Sequence, residues 1–360
     1  KNTVAVASGT QVFISQHIGD LDTYEAIDAL PRTARDLCDL YQIQPSAVAC
    51  DLHPDYASTQ YAESLGLPLM RVQHHEAHIL ACLAEHGLDE RPALGVSWDG
   101  TGYGPDSTVW GGEFLRVTPD GCQRVGHLRT FPLPGGDAVA REPRRSASGL
   151  LYALYGEAVF ERDDLAPLAA FSTGERAVLR QMLQRGLNAP QTSSAGRLFD
   201  AVAALLDLRQ RAAFEGQAAM ALEFAADCVA TDEVYPFSAN REYTGSDAAP
   251  VLVIDWGPLV EALLADKARG VPPEVMAAIF HNTLAALIVD VARQVGEPIV
   301  ALSGGCFQNR RLLAQTIKWL RAAGLRPLWP RLVPPNDGGI ALGQIVAAAR
   351  ETERVTGGKS

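Results

Sequence analysis

"GVSWDGTGYG" (Gly95–Gly104) is an apolar run that ends in a glycine-spaced tetrapeptide. Such a run reads as a strand whose end opens toward a ligand. Glycines there let backbone N–H groups approach a phosphate, and the Thr101 hydroxyl adds a donor. Taken alone, Asp99-Gly100-Thr101-Gly102 is equally compatible with a type I′ hairpin turn. The same device recurs at "IVALSGGCFQNRRLLAQ" (Ile299–Gln315), where Gly304-Gly305 leads from a strand into a helix. A helix N-terminus there suits an anion or the polar edge of a nucleotide. One device used twice is what an internally duplicated nucleotide-binding fold would show.

Around these two stretches the chain alternates strand-like and helical segments. "NTVAVASGTQVFISQ" (Asn2–Gln16) predicts two short strands around a glycine turn. A helix is predicted over Tyr24–Tyr41, and strands at "AVACDL", "LPLMRV", "ALGVSWDG", "VLVIDW" and "IVALSGG". The segments between them are rich in Ala and Leu at helical spacing, which implies α/β layers. Phe131–Ser146 and Ala189–Gly196 are irregular and read as loops.

The 360 residues, 47% of them hydrophobic, suffice for one large two-lobed domain or two ordinary ones. A net charge of -11 argues against a nucleic-acid partner, although "REPRR" (Arg141–Arg145) is a candidate local anion site. The six cysteines form no CxxC pair, so neither a zinc ribbon nor a disulfide scaffold is indicated, and a reducing cytoplasmic setting fits. No apolar run approaches the roughly 20 residues that span a membrane, and no secretory signal opens the chain. The first residue is Lys1 rather than Met, as in an excised or processed piece.

"VQHHEAHILACLAEHGL" (Val72–Leu88) holds His74, His75 and His78. At about 100° per residue, His74 and His78 lie one turn apart and can face one ion. The alternative is a helix start that happens to be rich in histidine. His75 falls instead on the stripe of Ile79 and Cys82, and His86 suits a helix C-terminus. A third ligand is needed, and Asp337 in "VPPNDGGIALGQIVAA" is a candidate; it is otherwise an N-cap. Cys306 reads as packing beside the glycine pair rather than as a nucleophile.

The set "VQHHEAHI", "GVSWDGTGYG…TVWGGEF", "GRLFDAVAALL", "FEGQAAMALE", "LSGGCFQNRRL" and "PPNDGGIALGQ" resembles the Kae1-like module of the HypF family of hydrogenase-maturation carbamoyltransferases. "ISQHIGDLDTYEA" and "DLHPDYAST" resemble the start of that module. The resemblance implies a two-lobed ASKHA architecture, the actin, Hsp70 and sugar-kinase class, with duplicated mixed sheets flanked by helices. It places one lobe in residues 1–92 plus 337–360, and the other in 93–336 with an insertion around 122–196. It further implies metal ligands His74, His78 and Asp337, the metal being Fe(II) or Zn(II). Nucleotide contacts carry over onto Asp99, Gly100, Thr101, Gly102, Asp200, Gly216, Gly304, Gly305 and Asn309.

The activity implied is transfer of a carbamoyl group from carbamoyl-adenylate to the C-terminal Cys of a HypE-like partner. That transfer lies on the route to the cyanide ligands of [NiFe]-hydrogenase. Acylphosphatase and YrdC-like domains that would make carbamoyl-adenylate from carbamoyl phosphate and ATP lie outside these 360 residues. His17, at the end of the first hairpin, and Arg141 are candidates for contacting the carbamoyl group or the acceptor. Other acceptors with the same sites are a small molecule, as in antibiotic O-carbamoyltransferases, or a tRNA, as in threonylcarbamoyl transferases.

Overall fold

The computed structural model describes residues 2–88, 91–242 and 250–357. The chain opens with the predicted hairpin, β1 (Ala5–Ser8) antiparallel to β2 (Gln11–Ile14), turning at Gly9. Helix α1 (Tyr24–Tyr41) comes next, its Thr23 side chain accepting from the Ala26 amide. Strand β3 (Val48–Asp51), α2 (Ala57–Ser64) and β4 (Leu69–Val72) then form a parallel β-α-β pair, and α3 (His74–Glu85) leaves from the end of β4.

The second half carries the main sheet. Its strands are β5 (Ala93–Tyr103), β6 (Val109–Thr118), β7 (Gly121–Leu128), β8 (Phe131–Pro132), β9 (Gln191–Thr192), β10 (Ser238–Glu242), β11 (Val251–Asp255), β12 (Ile299–Ser303) and β13 (Arg326–Leu328). The helices are α4 (Pro143–Tyr155), α5 (Ala166–Ala169), α6 (Thr173–Arg185), α7 (Ala195–Leu205), α8 (Gln217–Ala226), α9 (Gly257–Ala268), α10 (Pro273–Val295), α11 (Arg310–Ala322) and α12 (Ile340–Gly357).

Strand order β7-β6-β5-β12-β13 places three antiparallel strands beside two that run parallel to β5. The first half repeats this course in reduced form: hairpin, helix, parallel pair. Its two strand pairs are not joined into one sheet. The duplication is therefore present but unequal, and the larger core lies in the second half. Ala93–Trp98 and all of β12 are buried, which explains why they read as continuous apolar runs rather than alternating ones.

Several local expectations need correction. The Asp99–Gly102 tetrapeptide does not follow β5 but lies inside it, at a register shift between Trp98 and Gly102; the hairpin closes at Gly104–Thr108 instead. Phe131–Ser146 is only partly a loop, since Gly136–Arg141 forms a 3-10 turn and α4 begins at Pro143. Ala189–Gly196 likewise contains β9 and the start of α7. Helix α10 is long and apolar enough to cross a membrane, yet 83% of its most apolar stretch is buried among the other layers, as a central core helix would be.

Two glycines allow close approaches between neighbouring elements. At Gly304 φ is +103°, and a Cβ would sit 2.2 Å from the Trp98 carbonyl oxygen, so only glycine lets the end of β12 lie against β5. At Gly343 a Cβ would meet the Ala77 carbonyl oxygen at 1.8 Å, so glycine lets α12 lie directly on α3.

Candidate metal centre

Helix α3 begins where Gln73 accepts from the His75 and Glu76 amides, at 2.6 and 3.0 Å. That cap starts the helix at His74 and buries His74 and His78 one turn apart. The β5 bulge brings Asp99 alongside, and the turn preceding α12 brings Asp337. Asp99 Oδ2 lies 2.8 Å from His78 Nε2 and 3.6 Å from His74 Nε2, and Asp337 Oδ1 lies 3.7 Å from both. One donor atom from each of the four residues falls within 4.8 Å of the others. The N-cap at the last turn is Asn336, whose side chain accepts from Gly338 N, leaving Asp337 to the cluster.

The electrostatics suit a cation at the centre. Burial opposes charge on His74, yet the hydrogen bond to Asp51 and the Asp99 and Asp337 carboxylates outweigh it and hold its pKa well above the ordinary imidazole value. Burial would raise Asp99, but its contacts with His74 and His78 hold it well below the usual carboxylate range. His74 Nε2 is buried without a hydrogen-bond partner, facing two carboxylates at more than hydrogen-bond distance. Two imidazole nitrogens and two carboxylate oxygens fit a divalent ion such as Zn(II), Fe(II) or Mn(II). Together the carboxylates balance its charge, in place of the net positive site a single Asp would leave. His75 stays out of the donor set: burial and then the His74 charge depress its pKa, and Gln73 Nε2 contacts its Nδ1 at 3.1 Å.

The second glycine device abuts the same carboxylate. Gly304 N donates to Pro335 O at 2.9 Å, and a Cβ at Gly305 would lie 2.8 Å from Asp99 Oδ1. Ser194 donates to the Asp99 and Gly100 carbonyls and accepts from Arg197 N, tying the start of α7 to the bulge. On α7, Arg197 and Asp200 form a buried pair at 3.1 Å; burial pushes Asp200 up to about 6 although Arg197 opposes it. Glu215 Oε1 lies 2.7 Å from where a Cβ on Gly100 would stand. Gly216, at φ +80°, starts α8, and Thr101 is exposed. Cys306 is half-buried, and desolvation, reinforced by the Asp99 charge, pushes its thiol well up, which disfavours the thiolate a nucleophile needs.

Some sequence candidates sit apart. Asn309 uses both ends of its side chain internally: Oδ1 accepts from Leu312 N, and Nδ2 reaches His281 Nε2 at 2.9 Å. Its backbone is engaged as well, N–H donating to Cys306 O and the carbonyl accepting from Leu313 N. His17 is exposed beyond β2 and makes no hydrogen bond or ion pair among the described residues. Its segment does border the site, because Thr3 Oγ1 donates to Gly338 O at 3.0 Å. Arg141 is exposed at the end of its 3-10 turn. "REPRR" is not an open anion site: Arg144 is buried against Glu142, Glu175 and the Phe171 ring, and Arg145 pairs with Glu142.

Sequence reading missed Asp99 as a member of the candidate metal cluster, Asp51 as the partner of His74, and Arg197. The signal for Asp51 was its place in "DLHPD", at the C-terminal end of a strand parallel to the one that feeds α3.

Residues 95–344 match the family described as "Carbamoyltransferase, Kae1-like Domain, second subdomain", and residues 1–85 match "HypF Kae1-like domain". The chain is similar to Carbamoyltransferase HypF of Synechocystis sp., with 45% identity over 96% of this chain and 46% of that protein. It is also similar to the Carbamoyltransferase HypF homolog of Cupriavidus necator, with 41% identity over 98% of this chain and 90% of that protein. A crystal structure of full-length HypF in the phosphate- and nucleotide-bound form superposes with TM-score 0.90 and 37% identity, over 98% of this chain and 45% of that one. The chain thus spans just under half the length of the Synechocystis protein and of the solved structure.

Proposed function

Because the chain belongs to the HypF carbamoyltransferase family, of which it comprises the Kae1-like part, we propose that it catalyses carbamoyl transfer from carbamoyl-adenylate to the C-terminal Cys thiol of a HypE-like partner. The observation that carries this reading is the convergence of His74, His78, Asp99 and Asp337 beside the two glycine devices. The reaction is a displacement: the thiolate sulfur bonds to the carbamoyl carbon, the carbon–oxygen bond to the phosphate breaks, and AMP leaves with that electron pair. No protein nucleophile is needed, which agrees with the neutral Cys306 thiol.

The four donors would hold Zn(II) or Fe(II), which when bound supplies Lewis-acid polarisation of a carbonyl or phosphoryl oxygen. In this scheme the Gly305 amide would hold the phosphate through reaction, since the Gly304 amide donates to Pro335 O and the Gly100 amide to Asp99 Oδ1. Asp200 suits the ribose hydroxyls, and Arg197 keeps that carboxylate oriented. The same reading makes His17 and Arg141, both exposed, candidates for contacting the carbamoyl group or the acceptor. On this reading, residues 1–92 with 337–360 act as one lobe and 93–336 as the other, consistent with α12 packing on α3, β1 and β3. Formation of carbamoyl-adenylate from carbamoyl phosphate and ATP belongs to YrdC-like and acylphosphatase domains outside these residues.

The test supplies the purified chain with synthetic carbamoyl-adenylate and a HypE-like acceptor and reads the acceptor's mass. Gain of one carbamoyl group on the terminal Cys, abolished in His74→Ala, supports the proposal. No gain with the wild-type chain sinks it.

A further inference from the structure

His74 and His78 present the same atom to the centre, but among the described residues only His74 is held from behind. Its Nδ1 lies 2.8 Å from Asp51 Oδ2, with both groups buried. Asp51 is itself fixed: Oδ1 accepts from His53 N at 2.9 Å, and its backbone carbonyl accepts from Thr59 Oγ1. It ends β3, paired in register with Val72 at the end of β4, so the parallel strands deliver the carboxylate and the start of α3 to the same edge. An ionised carboxylate only accepts hydrogen bonds, so the proton of this contact sits on His74 Nδ1. Nε2, the buried atom without a partner among the described residues, is the one that gives up its proton and supplies the lone pair when an ion binds.

We infer that Asp51 is a positioning residue of the metal centre, fixing the ring orientation and tautomer through which His74 binds the ion. This rests on reading the four-residue cluster as a metal site. A carboxylate behind a ligating imidazole also raises its basicity, and removing such a partner typically weakens metal binding by about 10–100-fold. The arrangement makes β3 part of the centre, although no β3 residue faces the ion.

The experiment measures Zn(II) affinity by chelator competition for the wild-type chain, Asp51→Asn and Asp51→Ala, together with the melting temperature of each metal-free protein. The wild type binds one Zn(II). Asp51→Ala binds about 10–100-fold more weakly, and Asp51→Asn, whose amide oxygen still accepts a neutral hydrogen bond, falls between them. In the Zn(II)-loaded wild type, imidazole-selective NMR shows a slowly exchanging Nδ1–H that His74→Gln and Asp51→Ala both remove. Undiminished affinity in Asp51→Ala overturns the inference while leaving the metal centre standing. A lowered melting temperature with unchanged Zn(II) affinity assigns Asp51 to the fold alone and overturns it too. Failure of the wild type to bind Zn(II) overturns the metal reading itself.

Discussion

Two strand-to-helix junctions meet beside Asp99, and they treat their polar side chains in opposite ways. After β12, Asn309 caps α11 and contacts His281 Nε2, while His281 Nδ1 donates to Ala277 O at 2.7 Å, so every polar atom of the pair has a partner. After β4, Gln73 caps α3 just as fully, but the next residue leaves a buried ring nitrogen facing carboxylates it does not hydrogen-bond. Burying satisfied polar groups holds a fold together, whereas burying unsatisfied ones costs free energy unless something else completes them. The first junction is closed on itself, whereas the second leaves a nitrogen and carboxylates that a cation would complete.

Substitutions can pull the two junctions apart. The largest effect falls on the open one: His74→Ala or His78→Ala removes a ligand and lowers Zn(II) affinity by more than the roughly 100-fold that losing an outer partner costs. Titration calorimetry reads this, and unchanged affinity would erase the contrast. At the closed junction, Asn309→Ala removes a cap worth about 0.5–2 kcal/mol and strands His281 Nε2 at about 1–3 kcal/mol. Urea unfolding should therefore show a loss of about 1.5–5 kcal/mol with Zn(II) affinity intact.

The same junction sets a pH limb. Burial lowers His281 from 6.5 to about 4, so the imidazole is neutral in the fold and charges first in the unfolded chain. Its contribution is complete above pH 6.5 and drains away as pH falls toward 4, by about 3 kcal/mol at most. Stability curves of the wild type and His281→Gln compared across that window read it; parallel curves would contradict it. The smallest effect is at the surface, where Arg141→Ala changes stability by no more than about 0.5 kcal/mol.

Where pattern is local, the sequence displayed the fold. The Asn2–Gln16 hairpin, the Tyr24–Tyr41 helix and the buried strands stand where their residue periods put them. The unequal duplication did not show, because whether β1-β2 joins β3-β4 depends on packing that no period encodes. His74, His78 and Asp337 were legible through helical spacing and motif resemblance. Asp99 was legible as a residue but not in its role: its glycine neighbours drew it to the phosphate, and only the register shift in β5 turns its carboxylate onto His78. Asp51 was hidden for a related reason, since the parallel pairing that brings it to His74 joins residues 23 apart with no shared period.

Asp99 is therefore where the four-donor centre is most exposed to refutation. Zn(II) and AMP affinities of Asp99→Ala, each measured against the wild type, separate its two candidate duties. The arrangement predicts that Zn(II) binding collapses by more than about 100-fold even with no nucleotide present. Wild-type Zn(II) affinity combined with weakened AMP binding would return Asp99 to the nucleotide and contradict the four-donor centre.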